Sequence, residues 1–263
     1  MPNAKNIERG KKSILVYGPT GTGKTTMFTT LKGRKFLYIF DPSGVDAIAG
    51  KDITYETYLS EPLLGIRATK KGKTDRKAPK RPEPLAYTNF ENHLEAFLDD
   101  AIEGEDYKGV SDFDVIGFDS LTTLSIILMD RLLFINARLG RVPEIADYLL
   151  AGDTLLAIFR AVTHADKTIF IVAHSELVQD AISKRIINQL DVIKNVRRLL
   201  PRFLTDFWVS TAEQTTQGNR FFIQTVPTKE FPAAKNSLEL DPSIDVTVNL
   251  KQAVEGQGIG KLL

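Results

Sequence analysis

No cysteine occurs in the chain, which excludes disulfides, thiolate metal sites and cysteine nucleophiles together and fits a reducing compartment. Long apolar runs are also missing. The longest, around Leu121 to Leu133, is broken by Thr122, Thr123, Ser125, Asp130 and Arg131, and Met1 to Arg9 is polar, so neither a membrane span nor a signal peptide is expected. Nor is there an excess of charge of one sign. A net charge of +1 gives no global attraction to nucleic acid, so any such contact has to come from local basic patches. These absences point to the cytoplasm. What is present, 43% hydrophobic and 25% charged residues in a chain of 263, suits one globular domain with an insertion.

Strand and helix signals alternate along the chain. Lys12 to Tyr17 reads as a buried strand feeding a glycine-rich turn, Lys24 to Leu31 as a helix, and Lys35 to Phe40 as a second strand closed by the turn formers Asp41-Pro42-Ser43-Gly44. Residues 53–59 suggest a short third strand. From Gly65 to Pro84 the chain carries Arg67, Lys70, Lys71, Lys73, Arg76, Lys77, Lys80 and Arg81 and little that could enter a core, which reads as an exposed basic insertion loop at about 65–85. Thr88 and Glu91 have capping-box spacing and open a helix whose apolar stripe is Phe90, Leu94, Phe97, Leu98 and Ile102. Phe113 to Asp119 is a further buried strand, followed by helices to about Ala137 and over about Glu144 to His164. Lys167 to His174 is a buried strand ending in a histidine, and Ile186, Leu190, Ile193, Val196 and Leu200 keep rough helical spacing up to Pro201. Asp206 to Ala212 and Arg220 to Val226 alternate across Gln217-Gly218-Asn219 as a hairpin. The expected fold is α/β: a mainly parallel sheet flanked by helices, with a C-terminal antiparallel hairpin. Residues 1–263 form a single domain in this reading, with a short tail at about 250–263.

Gly18-Pro19-Thr20-Gly21-Thr22-Gly23-Lys24-Thr25 matches the phosphate-binding pattern G-x-x-x-x-G-K-[ST] between a strand and a helix, the context its chemistry needs. The backbone must wrap the phosphates with its N–H groups inward, so glycines stand where a side chain would block approach or forbid positive φ. The start of the helix, including Thr26, adds favourable dipoles. Lys24 is then expected to reach the β and γ phosphates of ATP and Thr25 to ligate Mg²⁺. A strand ending Val115-Ile116-Gly117-Phe118-Asp119, set beside the first, would bring Asp119 to the Mg²⁺ shell. Asp41, at the carboxyl end of the second strand, either activates water or caps its own turn. His174 either senses the γ-phosphate or is a satisfied structural histidine.

Two basic patches have open readings. The insertion loop can grip nucleic-acid phosphates, cover a nucleotide as a lid, or be solvated. Lys184, Arg185, Lys194, Arg197, Arg198 and Arg202 contact DNA or form the outer face of a helix. Trp208, Phe221 and Phe222 read as core rather than as a base-stacking platform.

Taken in order, ILVYGPTGTGKTT, YIFDPSG, VIGFDSLTTL, IFIVAHSE and LLPRFLTDFWVST resemble the phage-encoded RecA-like P-loop ATPases of AAA/RecA type, trimmed cores associated with single-strand annealing and homologous recombination. The resemblance implies a RecA-like P-loop core, Mg²⁺-dependent ATP hydrolysis, a single-stranded DNA partner and a homo-oligomer, ring or filament. It implies phosphate and metal ligands at Lys24, Thr25 and Asp119, a γ-phosphate switch at His174, and a basic finger at Lys235 reaching a neighbouring subunit's nucleotide. Two departures matter. Such proteins usually carry a glutamate just after the second strand's Asp, but here the run is Asp41-Pro42-Ser43, which implies slow hydrolysis, and Asn236 and Ser237 follow Lys235 where an arginine is common. A small-molecule kinase with a basic lid and a nucleotide-gated adaptor with little turnover are the alternatives. No N-K-x-D motif favours GTP, and no L-S-G-G-Q-like stretch favours a transporter.

Overall fold

The computed structural model describes residues 11–60, 82–102, 109–180, 184–216, 218–248 and 253–263. Its elements are β1 (Ser13–Gly18), α1 (Lys24–Thr29), β2 (Lys35–Ile39), α2 (Gly44–Ile48), β3 (Thr54–Thr57), α3 (Ala86–Leu98), β4 (Val115–Asp119), α4 (Leu121–Ile135), α5 (Ile145–Thr163), β5 (Thr168–Gln179), β6 (Ile186–Leu190), α6 (Lys194–Leu199), β7 (Asp206–Thr215), β8 (Gly218–Gln224) and β9 (Ser243–Asp245). The strands lie in the order β3-β2-β4-β5-β1-β7-β8-β9, with β6 paired to β5. Pairing from β3 to β7 is parallel, and β8 and β9 extend the sheet antiparallel. This is the expected α/β architecture, a RecA-like P-loop core.

Both faces of the sheet are covered, which is why β1, β2 and β4 are buried at every residue and read as apolar runs with a polar residue only at one end, Ser13, Lys35 and Asp119. Alternate side chains serve alternate cores. Leu15, Tyr17, Phe36, Tyr38 and Phe118 face α3, α4 and α5 through Phe90, Phe97, Leu124, Leu155 and Phe159. Ile14, Val16, Leu37, Phe170 and Trp208 face α1 and α2 through Met27, Phe28 and Ile48. The C-terminal segment joins the second core: Ile259 is fully buried, and the Gly256 N–H donates to the Thr30 carbonyl at 3.0 Å. Glu255 pairs with the buried Lys35 ammonium.

Several expectations are corrected. The Asp119 strand does not lie beside β1, because β5 is inserted between them. β5 does not end at His174 but runs on to Gln179; past His174 it leaves β1 and pairs antiparallel with β6. Helical spacing from Ile186 is thus half wrong. Ile186, Leu190 and Ile193 fit i, i+4, i+7, yet Asn188 and Leu190 are the buried pair of a strand, and helix begins only at Lys194. α3 starts at Ala86, before the capping box, since the Glu91 carboxylate accepts from the Tyr87 hydroxyl at 2.8 Å. α2 and β9 were not expected. The basic loop of residues 67–81 and Gln217 of the hairpin turn lie outside the described residues. Among the described residues, no helix is long and apolar enough to cross a membrane.

Candidate functional site

β1 delivers the chain into the loop at Gly18, where the sheet leaves no room for a side chain. A Cβ there would lie 2.1 Å from the Ser210 carbonyl oxygen on β7. Gly18→Ala is therefore expected to force β1 and β7 apart and destabilise the protein by about 1–3 kcal/mol, read as a lowered urea midpoint; an unchanged midpoint would contradict the close approach. Gly23 caps α1 at φ 75°, a conformation that a side chain disfavours. The Ser210 hydroxyl donates to the Thr22 carbonyl at 2.8 Å, and the Thr22 hydroxyl donates to the Pro19 carbonyl at 2.9 Å. Together these bonds hold the loop's shape from inside and from the sheet.

Lys24 is buried, and its ammonium donates to the carbonyls of Pro19 at 2.7 Å and Gly18 at 3.0 Å. Burial pulls its pKa down to about 8, against the attraction of Asp119 and Asp41. The Thr25 hydroxyl donates to Asp119 at 2.5 Å. Burial pushes the Asp119 carboxyl up to about 6, with Thr25 opposing and the Asp41 charge adding to the rise. A buried carboxylate whose bonded partner is a hydroxyl, next to a second acid, suits a divalent cation held by Thr25, Asp119, nucleotide phosphate and water. A buried ammonium parked on main-chain carbonyls likewise suits a polyphosphate. Among the described residues there is no cluster of three or more His, Asp or Glu side chains able to hold a metal by itself, so the phosphate would have to supply part of the shell.

Asp41 and His174 meet: His174 Nε2 lies 3.1 Å from Asp41 Oδ2, and the Thr123 hydroxyl donates to Asp41 Oδ1. Burial raises the Asp41 carboxyl, but hydrogen bonds from His174, Thr123 and Ser120 prevail and hold it below the usual range. With both oxygens engaged, Asp41 anchors His174 in this arrangement. The His174 main chain is tied in turn to α4 and to the segment after β6. Its N–H donates to the Thr122 hydroxyl at 3.0 Å, that hydroxyl donates to the Asp191 carbonyl at 2.8 Å, and the Asp191 N–H donates to the His174 carbonyl at 2.9 Å.

Thr20, Gly21, Thr22, Gly23, Lys24, Thr25, Thr26, Asp41, Asp119 and His174 all line one cleft. Gly18 and Pro19 stand behind it as acceptors for Lys24. Lys235 is not brought there. It forms a bridge with Phe207, and its ammonium donates to the Leu204 carbonyl, before the start of β7 and at the other end of the sheet. Of the second basic patch, Arg197 pairs with Glu176 at 3.2 Å and Arg198 donates to Asn195 at 3.3 Å. Lys194, Arg197 and Arg198 border a groove also lined by Thr122, Tyr148 and Asp191.

Sequence reasoning missed Thr123, Ser210, Phe221, Val246 and Val248. Trp208 is core, fully buried as expected. Phe221 is so only in part: half-buried, it packs against the second core and also lines the cleft with Val246 and Val248. The only local signal was its alternation with Ile223, which places the two on one face without saying what that face covers.

A family profile described as an AAA domain matches residues 10–238. No protein of curated function matches the chain in sequence. Solved structures similar to it include the flagellar accessory protein FlaH from Methanocaldococcus jannaschii, at 12% identity and a TM-score of 0.41 over 91% of this chain and 86% of that one. Another is a KaiC-like protein from Pyrococcus horikoshii OT3, at 10% identity and a TM-score of 0.46 over 92% of this chain and 87% of that one.

Proposed function

The chain belongs to the AAA-domain family, and from that premise we propose that it is a Mg²⁺-dependent ATPase of RecA-like type that binds single-stranded DNA in its nucleotide-bound state. The observation that carries the reading is the meeting of Lys24, Thr25, Asp119, Asp41 and His174 in one cleft. In this reading Lys24 holds the terminal phosphates, Thr25 and Asp119 hold Mg²⁺, and His174, steadied by Asp41, registers the γ-phosphate. Bound Mg²⁺ supplies charge neutralisation at the phosphates. Turnover is slow: Pro42 and Ser43, not a glutamate, follow Asp41, and Asp41 has both oxygens bonded.

The DNA half of the reading is supported by the path from His174 through Thr122 and Asp191 to the groove bordered by Tyr148, Lys194, Arg197 and Arg198. Phosphates would meet the cations, and a base could stack on Tyr148. Assembly into a ring or filament completes the proposal, with Lys235 leaving the Leu204 carbonyl to reach a neighbour's nucleotide. The biological setting proposed is phage recombination, annealing or replication, in the host cytoplasm.

Fluorescence anisotropy with a labelled oligothymidylate at fixed salt tests the coupling. Adding a Mg²⁺-bound, non-hydrolysable ATP analogue is expected to tighten DNA binding about 5- to 150-fold. His174→Ala should retain nucleotide binding and lose that enhancement. DNA affinity indifferent to nucleotide in the wild type would remove the DNA half and leave the ATPase half standing.

A further inference from the structure

We propose that Phe221 is the wall on which the base of a bound nucleoside triphosphate stacks, with Val246 and Val248 completing an apolar base subsite. The proposal rests on the nucleotide reading of the cleft and assigns its other end. Sheet order gives the cleft two unlike sides. Asp41 and Asp119 follow β2 and close β4, on one side of the loop strand β1, whereas Phe221 belongs to β8, two strands away on the other side. Metal and terminal phosphate belong with the carboxylates and Thr25. The remainder of the nucleotide must therefore leave the loop on the opposite side, and Phe221, Val246 and Val248 line the cleft there.

The Phe221 main chain is fixed by two hydrogen bonds, and its ring lies against the start of α1. The Phe221 N–H donates to the Thr247 hydroxyl at 2.8 Å, and the Val246 N–H donates to the Phe221 carbonyl at 2.9 Å, so β8 and the segment after β9 position it together. A Cβ on Gly23 would stand 3.4 Å from Phe221 Cδ1, which puts the ring against the start of α1, one residue from Lys24. Arg220 stacks on Phe222 at 5.2 Å, and strand alternation places that pair on the opposite face. The exposed part of the Phe221 ring is thus an apolar surface bordering the phosphate loop. An aromatic face binds any nucleobase through its π-system, so it adds affinity for a nucleoside over a bare polyphosphate.

The test compares Mg²⁺-ATP with Mg²⁺-tripolyphosphate by titration calorimetry on the wild type, Phe221→Leu, Phe221→Ala and Phe221→Tyr. Loss of the ring in Phe221→Leu, which keeps an apolar packing group, and in Phe221→Ala is expected to weaken ATP about 5- to 100-fold. Tripolyphosphate affinity should stay at the wild-type value in every variant, and Phe221→Tyr should bind ATP as the wild type does. ATP affinity unchanged in Phe221→Leu, or parallel loss of ATP and tripolyphosphate, would overturn the base subsite while leaving the phosphate loop in place. A wild type that binds neither ligand would overturn the nucleotide reading itself and this proposal with it.

Discussion

Lys24→Ala is expected to lower ATP turnover about 10²–10³-fold, the usual cost of removing one preorganised cationic or hydrogen-bonding group from a reacting centre. The fold should survive, because the Lys24 ammonium is a burden on the unliganded protein. Its pKa lies near 8 when folded against 10.5 as the ordinary value. Between those two pH values the unfolded chain holds more protons than the folded one, so stability rises with pH across that window. Below about pH 8 the full penalty applies, on the order of 3 kcal/mol. Denaturation of the unliganded variant at neutral pH should therefore show a midpoint no lower than that of the wild type, together with a flatter pH dependence above 8. A large loss of stability would mean that the bonds from Lys24 to Gly18 and Pro19 hold the loop together, and that the lost turnover reports unfolding.

Asp119→Asn is the second large effect. Removing the one carboxylate bonded to Thr25 is expected to cost about 10²-fold or more in Mg²⁺-supported turnover, several kcal/mol of charge stabilisation. Here too the fold should gain. The Asp119 carboxyl sits at about 6 in the folded chain against 3.8 ordinarily. In that window the folded state holds more protons than the unfolded one, so stability falls as pH rises from about 4 to 6. With metal chelated, the wild type should show that fall and Asp119→Asn should lack it. Mg²⁺ enhancement of nucleotide binding should weaken as pH drops through about 6, where Asp119 gains its proton. Equal Mg²⁺ dependence in variant and wild type would remove Asp119 from the metal shell.

What could be read from the chain was local, and what could not be read was distant. The phosphate loop is eight consecutive residues whose backbone demands are written into Gly18, Gly23, Lys24 and Thr25. Buried strands announced themselves because both faces of the sheet are covered, which leaves β1, β2 and β4 apolar between their polar ends Ser13, Lys35 and Asp119. Asp119 was visible as a carboxylate at a strand end, but the insertion of β5 between β4 and β1 is a matter of sheet order, on which strand sequence is silent. The continuation of β5 beyond His174 was hidden because its second half has one partner, β6, and so lacks the unbroken apolar run of the first. Phe221 lies nearly two hundred residues from Gly23, and only the folding of β8 beside β7 brings the two together. The pairing of Asp41 with His174 joins residues 133 apart in sequence. Neither position carries a local signal that names the other.

The account as a whole is tested most directly by the ATPase rate of the wild type and of Lys24→Ala, with and without single-stranded DNA, at one fixed salt concentration, since phosphate contacts weaken steeply with salt. It predicts slow turnover that DNA stimulates in the wild type and that disappears in Lys24→Ala. Turnover that ignores DNA, or that persists without Lys24, would contradict it.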